Sequence, residues 1–138
     1  MFKFINYLKK ISNCIPEFQI AHWFLRIPIS IVFIQQGFYK LPLNISEAES
    51  FGLPFFIWFL VAWSEIIAGF GLLLGGLVKH WFNDILTRFS GFIIVNIICG
   101  VIILSKPESL LDVILYDNLH VLLCVGGLFF ALRGNRAN

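Results

Sequence analysis

One apolar run dominates the pattern of apolar and polar positions: residues 55–77, in which Glu65 is the only charged residue. A helix of this length would be about 34 Å long, enough to cross the roughly 30 Å hydrocarbon core of a bilayer. An ionised carboxylate at that depth costs about 2.5 to 3.5 kcal/mol on insertion scales, so the side chain should face protein or water. The run therefore predicts a transmembrane helix with an inward-facing carboxylate.

Three further apolar runs predict spans at about residues 20–38, 85–104 and 116–132. The last run is the shortest, and the span could begin nearer Ser109 as a bent or interfacial segment. The fold class that follows is an all-α membrane protein, a bundle of four transmembrane helices.

Two local patterns qualify this picture. Arg26 and Pro28 lie inside the first run, and because proline lacks a backbone donor we expect a bend near Arg26. Between the first two spans, Ser46 and Glu49 have the spacing of a capping box, which predicts a short interfacial helix there.

The N-terminal residues form a separate segment. Their apolar positions repeat at helical spacing, which suits a short amphipathic helix in the headgroup region, with a frayed basic tail as the alternative. We therefore divide the chain into an arm, residues 1–15, and one membrane domain, residues 16–138. The apolar positions of the arm are Phe4, Tyr7, Leu8 and Ile11.

Composition supports a membrane protein. Hydrophobic residues make up 59% of the 138 residues and charged residues 13%, with a mean hydropathy of +0.87, too apolar for one soluble core. The net charge of +2 is small and scattered, so nucleic acid is not an expected partner. The three cysteines form no CxxC motif and give no disulfide framework.

The distribution of lysine and arginine predicts the orientation. With four spans, eight of the ten basic residues fall on one side and two on the other. The positive-inside rule then puts both termini in the cytoplasm. The larger set is Lys3, Lys9, Lys10, Arg26, Lys79, Arg88, Arg133 and Arg136, and the smaller is Lys40 and Lys106.

A buried polar centre is the main functional candidate. Helical spacing places Arg26 and Glu65 on the inward stripes of neighbouring spans, roughly 9 Å apart along the membrane normal at about 1.5 Å per residue. We expect the two side chains to pair, directly or through water or Asn96. The pair either orients the helices only or borders a pocket for a ligand head group or proton, since intramembrane ionisable groups are functional candidates.

Secondary candidates line the same predicted interior. Lys40 and His120 would lie at its outer mouth, where a histidine can exchange protons or bond a carbonyl, although water or backbone is the more frequent partner. On the third span, Asn96, Cys99 and Gly100 form the predicted inward cluster. No metal site is predicted. Small residues predict close helix packing at Gly37, Gly69, Gly71, Gly75, Gly100 and Gly127.

Three stretches of the chain carry motifs that recur together in one family of membrane proteins. The first is LRIPISIVFIQQGFYKL, residues 25–41, which contains an arginine and ends in a G-x-x-K motif. The second is SEIIAGFGLLLGGL, residues 64–77, and the third is TRFSGFIIVNII, residues 87–98. In this order and spacing the chain resembles the DoxX family of small four-span bacterial membrane proteins, and the resemblance covers roughly residues 25–132.

The resemblance implies a bacterial inner-membrane protein, and some relatives are membrane subunits of quinone-linked oxidoreductases. No residue pattern indicates a cofactor, but the resemblance leaves room for a quinone and for a redox partner protein besides the lipid bilayer. Catalysis by this short chain alone is not implied. The alternatives are a non-catalytic scaffold and a small-solute or proton pathway. Association of bundles into a homo-oligomer is compatible with the glycine-rich faces.

Overall fold

The computed structural model describes residues 5–7, 10 and 20–135 of the chain. The predicted arm, residues 1–15, lies mostly outside the described residues, although residues 5–7 and 10 are helical. The segment 20–135 contains no strand and six helices. They are α1 Trp23–Tyr39, α2 Ile45–Ser50, α3 Phe55–Leu77, α4 Trp81–Leu104, α5 Leu110–Tyr116 and α6 Asn118–Arg133.

Two of these helices, α3 and α4, are each long and apolar enough to cross a membrane. The bounds of α3 are those that the apolar run predicts. Helix α4 begins earlier than predicted, at Trp81, because the ring of His80 accepts a hydrogen bond from the Phe82 backbone N–H at 3.3 Å and caps the helix. Helix α1 has 17 residues and continues through Pro28.

The fourth predicted span is broken at Asp117. Helices α5 and α6 meet there at 98°, and they form one further candidate span only if the bent pair is taken as a single broken span. The described residues therefore contain two or three candidate spans, fewer than the four that the sequence predicts. Ser109 caps α5 by accepting a hydrogen bond from the Asp112 backbone N–H at 3.2 Å. Leu110 and Leu115 on α5 are exposed.

A short helix does follow the first span, but its cap differs from the prediction. The side chain of Asn44 accepts a hydrogen bond from the Ser46 backbone N–H at 3.2 Å, so Asn44 caps α2. The capping box of Ser46 and Glu49 was therefore placed two residues too late along the chain.

The four long helices pack around one apolar core. Helix α1 packs on α3, α3 on α4, and α4 on α6. Ile29 of α1 reaches Gly126 of α6, so the first and last long helices also touch. The core consists of Ile29, Phe33, Ala68, Leu72, Ile94, Ile98, Leu123 and Phe130.

Glycines bring the helix backbones together at each of the major contacts. A Cβ at Gly37 would stand 2.8 Å from the Ala62 carbonyl oxygen, and one at Gly91 2.6 Å from the Gly127 carbonyl oxygen. Both distances are too short for a side chain, so these α1–α3 and α4–α6 contacts require glycine. Gly69 lies at the α1–α3 contact and Gly127 at the α4–α6 contact, while Gly71 and Gly75 lie between α3 and α4.

Gly100 differs from the other glycines that were predicted to pack between helices. No atom outside its own helix lies within 4 Å of the position of a Cβ there, so Gly100 packs against no other described helix of this chain, and its packing role stays a prediction. The buried face of α4 carries Thr87, Ser90 and Gly91 instead. The sequence predicted that the face with Asn96, Cys99 and Gly100 turns inward. The small residues on the opposite face of α4 pack against α3 and α6 instead.

The end of α6 is held by Arg88 of α4. Its Nε donates to Asp84 Oδ2 at 2.9 Å, and its guanidinium donates to the carbonyls of Ala131 at 3.3 Å and Arg133 at 3.0 Å. These carbonyls have no partner within their own helix, so Arg88 satisfies them. Gly134 follows with φ 62°, a conformation open to glycine.

Candidate functional site

An ion pair joins α1 to α3 near the end of α1. Lys40 Nζ lies 2.9 Å from Glu65 Oε1 and 2.7 Å from Oε2, so one ammonium binds both carboxylate oxygens. Glu65 is 5% exposed. Lys40 follows the last turn of α1, and its side chain also donates to the Gln36 carbonyl at 3.3 Å.

Aromatic rings border this Lys40–Glu65 pair. Lys40 Nζ lies 5.4 Å from the centre of the Trp58 ring, and Phe51 stacks on Trp58 with ring centres 5.0 Å apart. Trp58 is 5% exposed, yet its indole N–H has no hydrogen-bond partner within the described residues. The site therefore offers a cation, a carboxylate, an aromatic face and one unused donor.

A second polar centre, the Arg26 cluster, lies toward the other end of α1 and consists of Arg26, Thr87 and Asn135. Arg26 is fully buried and donates to the Leu72 carbonyl, to Thr87 Oγ1 at 3.1 Å and to Asn135 Oδ1 at 2.7 Å. Its guanidinium also lies 4.7 Å from the ring centre of Phe130. These hydrogen bonds go to neutral groups.

Asn135 fixes the end of the described chain to this cluster. Its side chain accepts from Thr87 Oγ1 at 2.9 Å and donates to the Gly75 carbonyl, while its backbone N–H donates to Asp84 Oδ1 at 2.7 Å. Residues of all four long helices, or the residues just beyond them, thus meet at one point. Such a network holds helix ends together, although Arg26 Nε is buried without a partner within the described residues.

Comparison with known proteins assigns the family. The family model described as DoxX matches residues 21–106, more than half of the chain. The chain belongs to the DoxX family. No curated protein and no solved structure was found to match it. The DoxX match includes Arg26, Lys40, Trp58 and Glu65, whereas Asn135 lies beyond it.

The predicted Arg26–Glu65 pair is wrong for this DoxX protein. The partner of Glu65 is Lys40, which lies at the opposite end of α1 from Arg26. The Arg26 guanidinium instead reaches the Leu72 carbonyl, two turns further along α3 than Glu65. Both long side chains satisfy their charges locally, so no contact across the apolar middle is needed.

Asn96 is misplaced by the same reasoning. Its side chain is exposed on the outer face of α4 and donates to the Phe92 carbonyl at 2.7 Å. It therefore does not bridge the two polar centres as predicted. The outward direction follows from the opposite face of α4, where Ser90 and Gly91 fill the contacts with α3 and α6.

His120 lies at the start of α6, where its Nδ1 is 2.6 Å from Asp117 Oδ1. It is partly exposed and belongs to the break between α5 and α6. This partner is thus a neighbour in the chain, and a role in a ligand pocket stays a prediction. No group of His, Cys, Asp and Glu that could hold a metal occurs among the described residues.

Sequence reasoning missed three residues that the structure brings to the polar centres. Neither Thr87 nor Trp58 is among the candidates that the sequence suggests, and Asn135 lies beyond the last apolar run. Trp58 lies on α3, the helix that carries Glu65. Its spacing of seven residues from Glu65, two turns of α3, was the available signal that both share one face.

Proposed function

We propose that this DoxX-family protein is a membrane subunit that binds a lipophilic quinone beside the Lys40–Glu65 pair. The observation that carries the proposal is the buried indole N–H of Trp58, which has no acceptor within the described residues. A buried donor without a partner costs roughly 1 to 3 kcal/mol, and a ligand carbonyl that accepts this hydrogen bond removes the cost.

The chemistry of the surroundings favours a quinone head group. A quinone is a flat ring with carbonyl acceptors, and Trp58 and Lys40 each supply a donor close to an aromatic face. Phe51, stacked on Trp58, adds apolar surface at the membrane boundary. The isoprenoid tail would run along the exposed apolar faces of α1 and α3. This combination of apolar walls and few polar groups is typical of small-molecule sites.

The proposed role of the chain is to hold the ligand and to anchor a redox partner, which supplies the electrons. We take the spans to be α1, α3, α4 and the α5–α6 pair. The positions of the basic residues support an orientation with both termini in the cytoplasm, which an even number of spans allows. The DoxX resemblance supports the bacterial inner membrane as the location. The Lys40–Glu65 pair then lies toward the outer face.

The decisive experiment removes the unused donor and keeps the ring. We would purify wild type and Trp58→Phe in mild detergent and identify bound small molecules by native mass spectrometry. A short-chain quinone would then be titrated into each protein. Trp58→Phe is expected to raise the dissociation constant by about tenfold, the effect of one hydrogen bond of ordinary strength. Trp63→Phe is the matched control, because Trp63 lies on α3 with its side chain exposed.

The outcomes are distinct. Loss of a quinone-sized ligand from folded Trp58→Phe, with retention by Trp63→Phe, supports the site. Equal quinone affinity in wild type and both variants would contradict it. Glu65→Gln adds a second comparison, since loss of assembly without any change in ligand content would assign the ion pair to helix packing alone.

A scaffold without a ligand is the second candidate, and the Arg26 cluster favours it. Every hydrogen bond of that cluster ends on another part of the same chain, which is the arrangement of a structural junction. A solute or proton pathway has weaker support, because buried Ile29 and Phe33 lie between Arg26 and Lys40 on α1. The quinone titration separates the scaffold from the ligand-binding subunit.

A further inference from the structure

The outer face of α4 carries one amide in an otherwise apolar surface. Asn96 is exposed, and within the described residues its side chain makes a single hydrogen bond, the one to the Phe92 carbonyl. The Asn96 carbonyl oxygen and the second N–H have no partner in that part of the chain. Hydrocarbon offers no partner to such groups, so an amide at this depth requires protein contact.

The exposed residues around Asn96 repeat at alternating intervals of four and three. This 3.5-residue period is the spacing of a seam between two helices that cross at about 20°. Gly100 lies beside the seam with open space around it, which leaves room for the side chains of a neighbouring helix. The seam consists of Ile85, Phe89, Phe92, Asn96, Cys99 and Ile103, all exposed.

We propose that α4 of a second copy of this chain covers this seam, forming a symmetric dimer. Two copies inserted in the same orientation pair their α4 helices in parallel around a two-fold axis normal to the membrane. Asn96 then faces Asn96 of the other copy. An amide carries both a donor and an acceptor, so two identical residues satisfy one another.

Within the described residues, the other outward faces carry no amide in the middle of a long helix: Gln35 and Gln36 are exposed in the last turn of α1, where Gln35 donates to Tyr39 Oη at 2.7 Å. The exposed side chains in the middle of α3 are apolar, such as Ile67 and Phe70, and those of α6 include Leu122 and Val125. The glycine-rich faces that made association plausible from the sequence are used inside the chain, at Gly71 against Ser90 for example. The Asn96 face is therefore the one with a physical need for a partner. The inference is independent of the proposed quinone site.

The test uses disulfide cross-linking of the purified chain in liposomes. Ile103→Cys is placed in a background in which Cys14, Cys99 and Cys124 are replaced by alanine. Ile103 lies on the seam, and Leu122→Cys on the outer face of α6 is the matched control, since both side chains are exposed near the same end of the helices. We expect Ile103→Cys to form a covalent dimer at least about tenfold faster than Leu122→Cys.

The amide is tested in the same background. Asn96→Leu is expected to lower dimerisation of the Ile103→Cys chain by about tenfold, the order of one interhelical hydrogen bond in a membrane. Circular dichroism and detergent unfolding of the monomer check that the variant folds. Equal rates for Ile103→Cys and Leu122→Cys, or an unchanged rate with Asn96→Leu, would overturn the proposal and leave the face to lipid or to a different membrane protein.

Discussion

At the residue scale, the charged side chains inside the helices bind groups that lie within their own reach, although Arg26 Nε has no partner in the described part of the chain. Lys40 binds both oxygens of Glu65, and Arg26 binds a carbonyl, a hydroxyl and an amide. Two such centres are not equivalent. The groups that accept hydrogen bonds from Arg26 are all neutral. In the Lys40–Glu65 pair, by contrast, two opposite charges bind each other, so each residue depends on the other.

This dependence gives a prediction. Lys40→Met leaves the Glu65 carboxylate buried without its cation and should lower the free energy of unfolding by about 3 to 5 kcal/mol. Adding Glu65→Leu to the same chain removes the orphaned charge and should recover most of that loss. The measurement is reversible unfolding in mixed micelles, arranged as a double-mutant cycle.

Lys106→Met is the control for this cycle. Lys106 is exposed in the connection after α4, so its replacement should change stability by less than about 0.5 kcal/mol. If Lys40→Met behaved like Lys106→Met, the ion pair would contribute no free energy of folding, and a role in ligand binding would be favoured instead.

At the element scale, a glycine on α4 matters for packing only where the backbone of a neighbouring helix comes close to it. The backbone of Gly91 meets the backbone of α6 at Gly127, whereas Gly100 meets no neighbouring element. Both are glycines in the same apolar helix. The difference lies in the partner surface, which is set by the neighbouring helices.

Gly91→Ala is therefore expected to destabilise the protein. The new methyl group would stand 2.6 Å from the Gly127 carbonyl oxygen, and separating α4 from α6 should cost about 1 to 3 kcal/mol. Gly100→Ala is the matched change in the same helix. It should be neutral or stabilising by up to about 1 kcal/mol, because alanine favours helix more than glycine does. Unfolding of both variants as detergent-solubilised monomers measures the difference.

The comparison has a clear contrary result. Equal stability of Gly91→Ala and Gly100→Ala would mean that α4 and α6 can move apart at no cost. The close α4–α6 contact would then not be a determinant of the fold.

At the scale of the whole molecule, the polar groups form two separate centres near the two ends of α1, and one of them reaches Glu65 near the middle of α3. The Arg26 cluster ties together the ends of the long helices near Asn135, and the Lys40–Glu65 pair lies near α2 at the other end of α1. Arg88 and Arg133 lie on the same side as the Arg26 cluster. From this distribution the positive-inside rule predicts that this side faces the cytoplasm.

Reporter fusions test this orientation. Green fluorescent protein fused after residue 138 or after residues 78–80 should fluoresce, because both positions are expected in the cytoplasm. Alkaline phosphatase fused within residues 105–109 should be active, because that connection is expected outside. Alkaline phosphatase activity at the C-terminal position would show that α5 and α6 do not complete a fourth span, and the proposed topology would be wrong.

Helix type, helix positions and membrane class could be predicted from the sequence because they depend on local properties. As a helix, the apolar run of residues 55–77 is longer than the hydrocarbon core is thick, whatever the tertiary arrangement. The family can be recognised from short sequence motifs within the matched residues. Helical periodicity also placed Arg26 and Glu65 on inward faces, where the structure has them.

Tertiary structure alone decided which inward groups meet and which polar stripe faces out. Arg26 and Glu65 lie on adjacent helices, but the register between α1 and α3 is set where Gly37 meets Ala62, and that register brings Lys40 to Glu65. Asn96 points outward because the glycine and serine on the other side of α4 allow closer backbone contact. A sequence determines the periodicity of each helix, but the fit between two surfaces belongs to both helices together.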